Sequence, residues 1–157
     1  MKFDKMYDTL DIAKRKPIWV ALSLFYLDTQ LQKSDYLDIA FYAVLSPYTL
    51  MEIKEINRNE VFPVLYPNLT SIASEWDYFK EADLIKNIKK SLQKRNIIKK
   101  IELTITYYLY RGLLKYHWDN LDLAYRELLN NGHDDILKSL EQLKKRNTPF
   151  DFGDQLN

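Results

Sequence analysis

Three glycines in 157 residues, none before Gly112, leave this chain few places to turn tightly. A β-sheet needs such turns often, and no Asn-Gly or Asp-Gly pair stands between alternating apolar runs as a hairpin would require. Helices are therefore the expected element. Apolar residues make up 46% and charged residues 29%, a globular balance that excludes collagen-like and low-complexity disordered classes. The length suits one domain with a real hydrophobic core, and no linker or internal repeat divides it. The expected fold is all-α, one helical bundle of six or seven helices over 1–157. Cysteine is absent, which excludes disulfides, thiolate metal sites and cysteine nucleophiles. With two histidines, a histidine-rich metal centre is not expected either, and nothing points to another cofactor.

Met1 to Asp11 mixes Lys with Asp and has no apolar stretch, so it does not read as a secretory signal. The most apolar run, Ile18 to Leu27, is too short to span a bilayer, which needs about 20 residues. No membrane span and a cytoplasmic location are the expectation.

Pro17 suits the first position of a helix, because its missing N–H has no partner there anyway. That helix runs to about Leu27, apolar nearly all round. Ser34 or Asp35 caps a second helix ending near Leu45, and Ser46-Pro47 breaks the chain. Thr49 with Glu52 fits a capping box, starting a helix to about Asn59. Pro63 and Pro67 make Val61 to Leu69 an extended connection, with Asn68, Thr70 and Ser71 as caps for a short segment through Trp76. From Glu81 to about Ile98, Leu84, Ile88 and Leu92 form an apolar stripe, which Asn96 interrupts. Ile101 to Tyr110 alternates like a strand, but no second strand of comparable quality could pair with it, so helix is expected. Gly112 marks a kink or a close helix contact. A further helix covers Asp119 to Asn130, stopped by Asn131-Gly132. A last one covers Asp134 to Arg146, acidic at its start and basic at its end, before a tail at 147–157.

The net charge of +1 hides an asymmetry. Residues 1–85 carry −4 and residues 86–157 carry +5. Between Lys86 and Lys100 stand seven basic residues and no acid, with Lys86, Lys89, Lys90, Lys94 and Arg95 forming a candidate basic face for a nucleic-acid backbone or an acidic protein. Lys99 and Lys100 complete the run. A solvated helix face is the plainer explanation.

Catalytic motifs are missing. Three scattered glycines cannot build a phosphate loop, and there is no His-Glu-x-x-His, serine elbow or EF-hand. His117 and His133 stand alone, without a second histidine one turn away. Asp35 with Asp38, and Glu52 with Glu55, are i,i+3 carboxylate pairs of the kind ordinary helix surfaces carry. Tyrosine is the unusual residue, with 12 copies beside seven Phe and three Trp. Tyr107, Tyr108, Tyr110 and Tyr116 gather near Trp118, where polar-tipped rings suit either a wet-edged core or an interface.

Three segments carry a resemblance. They are Arg15-Lys-Pro-Ile-Trp-Val-Ala-Leu-Ser-Leu-Phe-Tyr-Leu-Asp-Thr29, Ser46-Pro-Tyr-Thr-Leu-Met-Glu-Ile53, and Glu60-Val-Phe-Pro-Val64 with Asn68-Leu69 and Glu75-Trp76. Over about residues 15–95 the chain resembles a family of small uncharacterised bacterial proteins. Val20, Gln30 and Asp77-Tyr78 depart from that pattern, and the part from about Asn96 onward falls outside it. The resemblance implies a soluble, mainly helical bacterial protein and supplies no established activity.

These features favour a protein-binding module over an enzyme. Its concrete form is an immunity or antitoxin-like protein that blocks a cognate toxin by steric occlusion. Tyr107, Tyr110, Tyr116 and Trp118 are the candidate anchors, and Glu52, Glu55, Glu60, Glu75 and Asp77 the acidic rim. Nucleic-acid binding through the Lys86–Lys100 segment is the alternative. An enzyme with dispersed carboxylates, which would show a pocket with shifted carboxylate pKa values, is the third.

Overall fold

Asp11 opens the first helix by accepting a hydrogen bond from the Lys14 N–H at 3.4 Å. The computed structural model describes residues 11–70 and 79–132, together with Asp134, Ile136, Lys138 and Glu141. That first helix, α1, spans Ile12–Ser23, so Pro17 lies inside it and not at its start. The Asp11 cap, with Ile12 packed against the core, offsets the one intrahelical bond that Pro17 cannot make. From Ile18 to Ser23 every residue is buried, and burial continues through the 3₁₀ turn Leu24–Tyr26.

Helix α2 spans Lys33–Leu45. Its cap is Gln32, ahead of the expected Ser34 or Asp35; Asp35 serves from the third helical position, where its carboxylate accepts the Gln32 N–H at 2.6 Å. Helix α3, Leu50–Ile56, starts at the Thr49–Glu52 capping box, with Thr49 N–H donating to Glu52 Oε2 at 2.7 Å and Glu52 N–H to Thr49 Oγ1 at 3.3 Å.

The chain after α3 corrects the reading of Val61 to Leu69 as extended. It passes through π-helical Asn57–Val61, one α turn at Phe62–Leu65 and a 3₁₀ turn at Tyr66–Leu69. Pro63 has no N–H to offer the Asn59 carbonyl four residues back. That carbonyl accepts from the Arg95 guanidinium instead, so the helical path continues across the proline. Thr70 Oγ1 donates back to the Pro67 carbonyl. Ser71 to Trp76, with Glu75 and Asp77, lies outside the described residues.

Helix α4, Glu81–Gln93, buries Leu84, Ile88 and Leu92 as the stripe predicts. It ends short of Ile98, because Asn96 caps the next helix by accepting from the Lys99 N–H at 2.8 Å. That helix, α5, spans Ile97–Asn131, 35 residues and about 52 Å long. It merges the two helices expected at Ile101–Tyr110 and Asp119–Asn130, which is why five helices replace six or seven among the described residues. Gly112 sits within it, and a methyl group there would meet nothing within 4 Å, so no close helix contact exists at this position. Gly132 stops α5 at φ +77°, a conformation that glycine adopts freely. Helical geometry returns at Asp134, Ile136, Lys138 and Glu141.

The fold is all-α. Helix α2 makes the most extensive packing of any element, along α5, and Lys33 bridges the two at 2.9 Å from Glu127. Helix α1 packs between α2, the π segment and α4, with Lys16 at 2.6 Å from Glu81. Trp19, Phe25, Tyr26, Phe41, Phe62, Leu114 and Leu121 fill one continuous core. No described helix is long and apolar enough to cross a membrane.

Candidate interaction surfaces

The segments that carried the resemblance converge in space. Trp19 of α1 donates its indole N–H to Glu60 Oε2 at 2.6 Å, across 41 residues of sequence. The Arg15 guanidinium lies 3.5 Å from the other Glu60 oxygen and 4.6 Å from the centre of the Tyr48 ring. Four residues separate Arg15 from Trp19, which puts both on one side of α1. The π turn re-aims the following chain so that Glu60 meets them. Beside it Asn57 is wholly buried and accepts the Tyr26 hydroxyl at 2.9 Å.

Arg15 and Glu60 floor a cleft of about 820 Å³, walled by Tyr48, Met51, Arg58, Arg95 and the first turns of α5. Glu60 is the buried carboxyl among its lining residues. Burial pushes the carboxyl above its ordinary value, against the opposing pull of the Trp19 hydrogen bond and the Arg15 charge. The other cleft carboxylates have structural duties. Asp11 caps α1, Glu52 closes the capping box, and Glu55 lies 3.8 Å from Arg58 and accepts from Asn59. Both Glu60 oxygens thus have partners, one in Trp19 and the other in Arg15. No group of three or more His, Asp or Glu able to hold a metal occurs among the described residues.

The expected rim and anchors scatter. Glu52 and Glu55 are exposed, whereas Glu60 is only 5% exposed and belongs to the interior. Glu75 and Asp77 lie outside the described residues. Trp118, at 8% exposure, is core: its ring meets Phe25 edge-on at 5.1 Å, with Lys54 above it. Tyr107 and Tyr110 are half-buried against Phe62. Tyr116 stays on the surface. His117 is structural: its Nδ1 bonds the Tyr36 hydroxyl at 2.7 Å, its ring stacks on Phe25, and burial lowers its pKa. On α4, Lys86, Lys89 and Lys90 are exposed, as is Lys94 just beyond its end. Arg95 leaves that face to hold Asn59 and Ser91.

A different surface emerges on α5. Ile97, Ile98, Ile101, Ile105, Tyr108, Leu109, Leu113, Tyr116 and Leu123 are 53–77% exposed. At 3.6 residues per turn they share the side opposite Leu103, Leu114, Leu121 and Leu128, which face the core. Ile101, Ile105, Tyr108, Leu109, Leu113 and Tyr116 follow one another turn by turn, while Asp119 and Asn120 separate Leu123 from them. Sequence reading missed this face. The signal was the alternation in Ile101–Tyr110, which on a helix becomes two apolar sides instead of one.

No curated protein and no solved structure matches the chain. A protein family does, over residues 13–124, so the shared region extends beyond 15–95 and takes in most of α5. The chain belongs to the family described as Domain of unknown function (DUF7079).

Proposed function

We propose that this chain is a protein-binding module whose docking surface is the outward face of α5. The observation that carries the reading is the run of nine large apolar side chains, 53–77% exposed, on one side of one helix. Removing such side chains from water on a partner is a strong driving force; single exposed leucines are ordinary, and what sets this face apart is their repetition turn after turn from Ile101 to Tyr116. The narrower form of the proposal is toxin neutralisation by steric occlusion in a bacterial cytoplasm. In that form the aliphatic and Tyr residues of α5 fill a cleft on the toxin. The cleft carboxylates favour this over an enzyme, because each is tied to a structural partner.

Capture from host lysate tests it, with the tagged chain, its Ile105→Lys variant, and washes at low and high salt. One protein held in fixed proportion at both salts by the natural chain, and lost by the variant, is the expected result. Capture that is unchanged in Ile105→Lys overturns the assignment of the face. The exposed Lys86, Lys89, Lys90 and Lys94 support the second reading, nucleic-acid binding. That reading expects nucleic acid that washes off steeply with salt and is lost in Lys89→Glu/Lys90→Glu.

A further inference from the structure

The outward face of α5 is self-complementary. Place a two-fold axis between residues 110 and 111 and run a second α5 antiparallel to the first. Ile105 then meets Tyr116 of the other copy, Ile98 meets Leu123, and Leu109 lies level with Gly112. At Gly112 an added Cβ would touch nothing, so a neighbouring helix can approach closely there. Charged side chains interrupt the apolar line toward its C-terminal end, where Asp119 lies between Tyr116 and Leu123: Lys115 pairs with Asp119 at 2.6 Å and Lys99 with Glu102 at 2.7 Å, both within α5.

We infer that this face pairs with the same face of a second copy of the chain, as an antiparallel two-fold dimer. The inference rests on the reading that the face binds protein, and takes a second copy in place of a toxin as the partner on this face. Area argues for it. The nine side chains expose roughly 1,000 Å² per copy, which leaves room for the ~800 Å² per partner that a stable interface buries. Symmetry argues for it as well, since a two-fold interface needs one patch to complement itself: in this register Ile105 meets Tyr116, Ile98 meets Leu123 and Tyr108 meets Leu113, while Ile101 falls level with Asn120 and Glu102 with Asp119, whose charges Lys99 and Lys115 pair within each helix.

The natural absence of cysteine makes the register readable. Sedimentation of the full chain should give twice its 18.8 kDa at micromolar concentration, and 18.8 kDa for Leu109→Lys with an unchanged circular dichroism spectrum. Single-cysteine variants joined by a short thiol crosslinker then report direction. Gly112→Cys should link to itself. Ile98→Cys should not, because its two copies lie about 37 Å apart along the helices. Ile98→Cys mixed with Leu123→Cys should link. Self-linking of Ile98→Cys overturns the antiparallel pairing. A monomer at every concentration overturns the dimer altogether. If that monomer still captures another protein and loses it on Ile105→Lys, the docking reading stands without the dimer; if it captures nothing, both fall.

Discussion

Leu114 and Leu109 stand five residues apart on one helix, one fully buried and the other 77% exposed. The contrast is strongest from Ile101 to Tyr116 of α5. Its inner side is closed by α2, by Phe25 against Trp118 and by Phe62 against Tyr107. Its outer side repeats the same residue types against solvent. Apolar side chains on the inner side are accounted for by the core of one chain. Those on the outer side are not, and a helix apolar on both sides is a helix with a second surface to cover.

Paired truncations break the comparison most sharply. Leu114→Ala should cost about 3 kcal/mol through lost burial and a cavity, while Leu109→Ala in a dilute sample should change stability by less than about 0.5 kcal/mol. Urea midpoints check both. Equal losses would place both residues in one core.

Next in size is the polar contact beneath the cleft. Trp19→Phe removes the indole N–H and leaves a buried Glu60 oxygen unpaired, costing about 1–3 kcal/mol in urea unfolding. Burial already raises the Glu60 pKa, so the folded chain favours the neutral acid. Stability is whole below the ordinary carboxylate value of 4.5 and declines as pH rises through the raised value. Trp19→Phe should raise that pKa further and steepen the decline. A pH series of midpoints for the two chains measures it.

Gly112 sharpens the comparison from the other side. Gly112→Ala meets no steric obstacle, and alanine is favoured in a helix by about 1 kcal/mol, so the dilute chain should become more stable. The same methyl crowds Leu109 of a second copy, and sedimentation should show weaker pairing. Stabilisation without weaker pairing would move the two-fold axis away from Gly112.

The smallest effect comes from His117 on the inner side. Burial holds its imidazole below the ordinary 6.5, so it stays neutral in the fold while the unfolded chain takes up a proton. Stability contributed there is complete above pH 6.5 and is lost as pH falls below it. His117→Gln should flatten that acidic limb of the midpoint curve.

Much of the fold was legible because local chemistry decided it. The Thr49–Glu52 box, the Leu84–Ile88–Leu92 stripe, the interruption at Asn96 and the Asn131-Gly132 stop all act within one or two turns. What escaped depends on distant partners. Pro63 reads as a break until Arg95, 32 residues on, takes the Asn59 carbonyl. Glu60 reads as a surface acid until Trp19 and Arg15 arrive from α1. Trp118 reads as an anchor until Phe25 covers it. Of the candidate surfaces, the basic flank of α4 was visible as a charge run. The outer face of α5 was not, because two apolar sides on one helix cancel the periodicity that reveals one.

The central claim is that the outer face of α5 works between molecules and contributes nothing to the fold of a single chain. Urea midpoints of the natural chain and Leu109→Lys, each at low and high protein concentration, test it most directly. Coupling of folding to pairing predicts a natural midpoint that rises with concentration, a Leu109→Lys midpoint that does not, and convergence of the two on dilution. A Leu109→Lys midpoint lower by the same amount at every concentration would contradict the account and place Leu109 within the folded core.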